Sequence, residues 1–218
     1  MKKKFYILLF AMMVAFAANA QRFEYQMGLK AGLGVSFLST NNDNVTSKSN
    51  GLCYKFGFTG IYNFGENYGF TTGFTLLGNS MSYKINVPKV DENGEVIYDS
   101  NGNIVYKEVE SYVKPTYLQI PLLLKMRTET FAEKFRAFGE IGYGLNILAK
   151  KNDKGEYKNS YRDVCSSFIV HLGVEMAVMS RSTLQVMLAY DNNFSSMMSL
   201  SSDKFTTSNL CLEVGFLF

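Results

Sequence analysis

The stretch Phe135-Arg-Ala-Phe-Gly-Glu-Ile-Gly-Tyr-Gly-Leu-Asn-Ile-Leu148 decides the fold. Its odd positions run Phe135, Ala137, Gly139, Ile141, Tyr143, Leu145 and Ile147, whereas Arg136, Glu140 and Asn146 fall on even ones. Side chains that alternate with a period of two belong to a strand with two unlike faces; an amphipathic helix would group its apolar residues at i, i+3, i+4 and i+7. The next run sets Phe168, Val170, Leu172, Val174, Met176 and Val178 against Ser167, Ile169, His171, Gly173, Glu175 and Ala177. Working outward, alternation marks eight runs, at about 23–38, 52–64, 67–83, 111–126, 134–150, 164–178, 182–195 and 207–218. Connections at 63–67, 127–133 and 179–182 are short; those at 39–51, 84–110, 151–163 and 196–206 are longer and polar. Short turns at one end and long loops at the other predict an all-β, eight-stranded, antiparallel up-and-down transmembrane β-barrel.

A soluble β-sandwich would alternate too, so the composition of each face matters. On the more apolar faces of the eight runs no position is charged, although 19% of the chain is. Aromatics gather at the strand ends: Tyr25, Phe64, Phe70, Phe135 and Phe218 at one rim, and Phe37, Tyr54 and Tyr190 at the other. Rings at the interface depth form the girdles of membrane barrels. Lys84 and Lys114 point outward near the second rim, where they could snorkel to headgroups. The opposite faces carry Lys30, Lys55, Lys125 and Arg136 against Glu140, Glu175, Asp191 and Glu213. In an eight-stranded barrel, whose interior side chains just fill, these eight ions predict a polar, interlocked lumen. Phe216 and Phe218 on the apolar face of the last strand resemble the signal that delivers barrels to the outer-membrane assembly machinery. A periplasmic β-sandwich is the fold alternative.

Charge leads to the other end of the chain. The formal charge of +3 arises from Lys2, Lys3 and Lys4, without which 19 basic residues face 19 acidic ones. Those lysines, the apolar run 5–18 and Ala18-Asn19-Ala20 have the layout of a secretory signal peptide cleaved after Ala20. The organisation read from sequence is therefore a leader at 1–20 and a barrel at 21–218 with a long extracellular loop at about 84–110. A neutral mature chain lacks the basic surface that nucleic-acid binding requires.

Met27-Gly-Leu-Lys-Ala-Gly-Leu-Gly-Val-Ser36, Gly57-Phe-Thr-Gly60, Gly69-Phe-Thr-Thr-Gly-Phe-Thr-Leu76 and Tyr117-Leu-Gln-Ile-Pro-Leu-Leu-Leu-Lys125 together resemble the small outer-membrane β-barrel domain of Bacteroidota, the porin family or PorT-like proteins. The resemblance covers nearly all of the mature chain, and Tyr117-Leu-Gln-Ile-Pro121 is its most specific piece. It implies residence in the outer membrane of a Gram-negative bacterium and, for PorT-like members, a link to protein secretion.

Chemistry-bearing motifs are sparse. His171, the single histidine, faces inward and reads as a core residue; without a second histidine a common zinc site cannot form. Gly32-x-Gly34 and Gly142-x-Gly144 lie inside strands with no helix following, so they are not phosphate loops. Cys53 and Cys211 point lumenward on different strands and, with Cys165, are expected as free buried thiols. Asp91-Glu-Asn-Gly-Glu-Val-Ile-Tyr98 is repeated as Asp99-Ser-Asn-Gly-Asn-Ile-Val-Tyr106. Each Asn-Gly predicts a tight type I′ hairpin, and two such hairpins require a third reversal near 107–111; the further ligands of a calcium loop are missing. The sequence thus predicts no catalytic, cofactor or metal residues. It points to a non-catalytic structural, adhesive or partner-docking barrel working through extracellular loops, in contact with outer-membrane lipid and with an extracellular or secretion-system protein. A narrow porin for small solutes is the alternative, and an envelope lipid-modifying enzyme a more distant one.

Overall fold

The computed structural model describes residues 24–132, 134–150, 161–179, 182–197 and 204–218; the leader lies outside them. Nine strands run β1 (Glu24–Thr40), β2 (Val45–Asn63), β3 (Tyr68–Pro88), β4 (Tyr106–Val113), β5 (Thr116–Arg127), β6 (Phe135–Lys150), β7 (Val164–Ala177), β8 (Thr183–Asn193) and β9 (Phe205–Leu217). All neighbours pair antiparallel, and β1 meets both β2 and β9, so β1-β2-β3-β5-β6-β7-β8-β9 close into a ring of eight. A closed ring leaves no strand edge unpaired. The ninth strand does not widen it. β3 pairs with β5 over Tyr68 to Gly78 and with β4 over Met81 to Pro88. β4 and β5 are thus one descending path, broken at Lys114-Pro115, where the Pro115 carbonyl accepts the Asn79 N–H (3.1 Å). The same chemistry interrupts the β3–β5 ladder between Thr72 and Thr75, opposite Pro121, a residue with no N–H to donate.

The outward faces settle which solvent the ring meets. Leu33, Leu52, Phe56, Phe74, Leu172, Leu188 and Leu212 are each more than half exposed. A soluble monomer does not keep so continuous an apolar belt. At the short-turn rim Tyr25 packs on Tyr62, Phe64 stacks on Tyr68 and Phe131 on Phe135; at the other, Tyr143 leans on Phe194.

Three sequence expectations change at the long-loop end. Much of 39–51 and part of 84–110 is strand, because β1–β9, β2–β3 and β3–β4 pairing continues past the membrane: β3 alone has 21 residues, about twice the 9–11 that cross a bilayer. The tips shrink to 41–44 and 89–105. The turns at 91–94 and 99–102 are also not type I′, since Gly94 (φ 85°) and Gly102 (φ 82°) have positive φ but the asparagines before them do not. Asp91 Oδ1 accepts the N–H groups of Asn93 and Glu95 (2.9 Å each), and Asp99 Oδ1 those of Asn103 and Asn101 (2.8 Å each). An Asx-capped turn followed by a left-handed glycine results. The third reversal at 107–111 is absent, because β4 is straight there. Instead Lys89 N–H donates to Val105, Val105 N–H to Ile97 and Ile97 N–H to Lys89 (2.8, 2.9 and 2.9 Å), a closed triangle that returns the chain to β3's side.

Candidate functional site

The lumen is where the ring brings distant polar residues together, in layers. Nearest the short turns, Glu175 on β7 receives Arg127 Nε at 2.7 Å, Lys125 Nζ at 2.9 Å and Gln185 Nε2 at 2.9 Å. Glu140 on β6 meets Lys125 Nζ at 3.7 Å, His171 Nδ1 at 2.8 Å and the Thr71 hydroxyl at 2.9 Å. Lys125 also lies 4.0 Å from the centre of the Phe138 ring. A second group joins Lys55 Nζ to Asp191 and Glu213 at 2.8 Å each, Lys30 Nζ to Glu213 at 3.4 Å, and Gln119 Nε2 to Asp191 at 3.3 Å. Every strand of the ring supplies a partner to one group or the other. Inward parity of alternating strands is the reason: pairing Lys125 with Glu140, and Glu140 with His171, places consecutive strands' inward residues side by side.

Of the eight ions named from sequence, seven are buried in these two groups: Lys30, Lys55, Lys125, Glu140, Glu175, Asp191 and Glu213. Arg136 is the exception. It pairs in register with Glu175, yet its guanidinium turns to the mouth, donating to Thr130 Oγ1 (2.9 Å) and the Glu66 carbonyl (3.5 Å). Arg127 reaches Glu175 instead, and keeps the count at four cations against four anions. Sequence reasoning missed it by assigning 127 to a turn. The available signal was parity, since 127 continues the inward set Leu123, Lys125 by one step. His171, inward-facing as its parity predicts, bonds Glu140 on the adjacent strand.

Above the ions lies a neutral polar layer. The Ser36 hydroxyl contacts Asn209 and Asn79 Oδ1 (2.7 and 3.0 Å), and Asn146 Nδ2 donates to Asn193 and Ser167 (2.9 and 3.1 Å). The long-loop end is then filled by Tyr83, Ile85, Val113, Tyr117, Met197 and Phe205, with Tyr83 and Phe205 rings 5.5 Å apart. The short-turn end, among the described residues, is hollow: a cavity of about 450 Å³ lined by Gln26, Asn63, Glu66, Arg127, Arg136 and Glu175 among others. The lumen is therefore a closed-end cup. Among the described residues, no group of three or more His, Cys, Asp or Glu side chains is placed to hold a metal ion.

A family model described as "Outer membrane protein beta-barrel domain" matches residues 8–218. The chain belongs to this outer-membrane β-barrel family. Its ring of eight antiparallel strands and apolar outer belt are the fold such a protein needs, and the outer membrane is its location. No curated protein matches the chain. Among solved structures it is similar to Neisserial surface protein A at 12% identity and TM-score 0.43, covering 88% of this chain and 97% of that one. It is similar to Ail, the attachment invasion locus protein of Yersinia pestis, at 11% identity and TM-score 0.35, covering 89% and 99%. The outer membrane protease OmpT from Escherichia coli is matched at 10% identity and TM-score 0.38, covering 90% and 96%.

Proposed function

We propose that this family member is a non-conducting, non-catalytic barrel that anchors a rigid extracellular β extension used for adhesion or for docking a partner protein. One observation carries the reading: the lumen is ionically cross-linked at mid-height and filled by apolar side chains at the extracellular end. A solute path would need a continuous wet bore, and the Tyr83–Phe205 layer interrupts it. What projects outward is ordered, because β3 and β4 carry the turns 91–94 and 99–102 away from the membrane on paired backbone. Lys84 ion-pairs with Glu108 at 3.0 Å, and Thr46 bonds the same carboxylate at 2.7 Å, tying β2, β3 and β4 together there. Val90, Tyr98, Ile104 and Tyr106 are exposed on it, a surface suited to a protein partner outside the cell or in a secretion system. The Tyr117–Pro121 segment supports a PorT-like assignment within the family, and the leader layout supports cleavage after Ala20. Phe216 and Phe218 suit recognition by the assembly machinery.

Planar-bilayer recording tests the reading directly. The folded protein should give no steady single-channel steps, and a stable conductance would overturn the closed lumen.

A further inference from the structure

Two sulfurs meet inside the barrel at its closing seam. Cys53 on β2 and Cys211 on β9 are 158 positions apart in sequence and separated in the ring by β1, yet both stand in register opposite Gly34. Each is buried, 0% and 1% exposed, with Leu77 and Ala189 completing the apolar surround. Their Sγ atoms lie 2.9 Å apart, inside the contact distance of two unbonded sulfurs. The approach is possible because the ring bends sharply at β1, where β2 and β9 bring Cα atoms within 8 Å across the strand between them. Gly34 permits that bend. A Cβ there would fall 2.0 Å from the Leu210 carbonyl oxygen and 2.5 Å from the Cys211 Cα, so only glycine lets β9 close over β1.

We propose that Cys53 and Cys211 are joined as a disulfide in the exported protein, in place of the free thiols that their separation in sequence suggests. β1 and β9 are the first and last strands, and their pairing closes the barrel; the bond ties β2 to β9 over that seam and locks it. The third cysteine does not compete, for Cys165 sits in the extracellular apolar layer near the Tyr117 hydroxyl and the Ser196 carbonyl. The chemistry is thiol–disulfide exchange with an envelope oxidase that carries a reactive disulfide. The thiolate of one cysteine attacks a sulfur of that disulfide, breaking its S–S bond and forming a mixed disulfide. The second thiolate then displaces the oxidase sulfur; the two protons lost on forming the thiolates are taken up, by way of solvent, by the two oxidase sulfurs, so the oxidase leaves as its dithiol carrying the two electrons. Both sulfurs are inaccessible once the ring is closed, so exchange belongs to the stage before β1 and β9 pair. Compartment and chemistry agree, since disulfides persist outside the cytoplasm.

The test uses the native protein taken from outer membranes, denatured with a maleimide present and no reductant, then digested for mass spectrometry. The expected result is a linked Cys53–Cys211 peptide, an alkylated Cys165 and, before alkylation, a chain about 2 Da lighter than its reduced form. Three alkylated cysteines, or Cys165 bonded to either of the others, would overturn the proposal. A gel reads the same bond independently. Heat-unfolded C165S should migrate faster without dithiothreitol than with it, because a closed loop makes the unfolded chain more compact; equal mobility would also overturn it.

Discussion

Glu175 and Glu140 show what a single residue carries in this lumen. Each is buried and each is held by groups from neighbouring strands and from across the bore. Removing one partner of a buried pair leaves an uncompensated charge, at a cost of roughly 3–5 kcal/mol. Glu140→Ala takes the carboxylate from His171 and leaves Lys125 with Glu175 alone, and should lower the temperature at which the barrel loses its heat-modifiable gel form by several degrees; an unchanged temperature would contradict an interlocked lumen. Arg127→Ala and Arg136→Ala form a sharper pair. Arg127 is bonded to Glu175 and to Asn63 (2.6 Å) at a largely buried site, whereas Arg136 sits at the open mouth. Arg127→Ala should therefore cost a few kcal/mol and Arg136→Ala less than about 1 kcal/mol, read from paired unfolding curves in detergent. Parity made seven of the eight lumen ions legible in the sequence. It did not say where the inward row on β5 ends, because that depends on how far backbone pairing with β6 continues.

The elements above the membrane are organised by short-range chemistry. Asp91 and Asp99 are exposed carboxylates held below their ordinary pKa, Asp91 chiefly by the Glu95 N–H and Asp99 chiefly by the Asn103 N–H. A depressed folded pKa means that the ionised form stabilises the turn. That contribution is complete above the unfolded value, near 3.9, and is lost as pH falls through the lower folded value. Amide exchange at Asn93, Glu95, Asn101 and Asn103 should accelerate on acidification past that point, while amides of β5 and β6 at spanning depth stay protected; flat protection at the turns would sink the capping role. The repeat was visible in the sequence, and so were its turns. Their type was not, because Asn-Gly alone suits a type I′ turn and the preceding aspartate, by bonding two N–H groups, selects another. The length of the strands was missed for a related reason: β1–β9, β2–β3 and β3–β4 pairing beyond the membrane stabilises stretches whose polar sequence resembles loop.

At the scale of the molecule, the barrel and its extension are separable in principle. Pro88 and Tyr106 are paired neighbours at the top of β3 and β4, so replacing 89–105 by an Asn-Gly turn should leave a folded, heat-modifiable barrel with nearly unchanged stability. Collapse of that form would show that the triangle at Lys89, Ile97 and Val105 is needed for closure. The same truncated barrel should remain silent in planar-bilayer recording, because the apolar layer of Tyr83, Met197 and Phe205 lies below the removed residues. Period-two alternation by itself determined that the chain is a set of two-faced strands, which residues face in, and that uncharged faces point out. These are properties of each residue and its neighbours along the chain, so one sequence suffices to read them. Only the tertiary structure decided that Arg127 replaces Arg136, that β4 and β5 are one broken path, that the lumen is closed at one end, and that Cys53 meets Cys211. Each of those depends on register and curvature between strands far apart in sequence, where a shift of one hydrogen-bonded step changes every cross-bore contact.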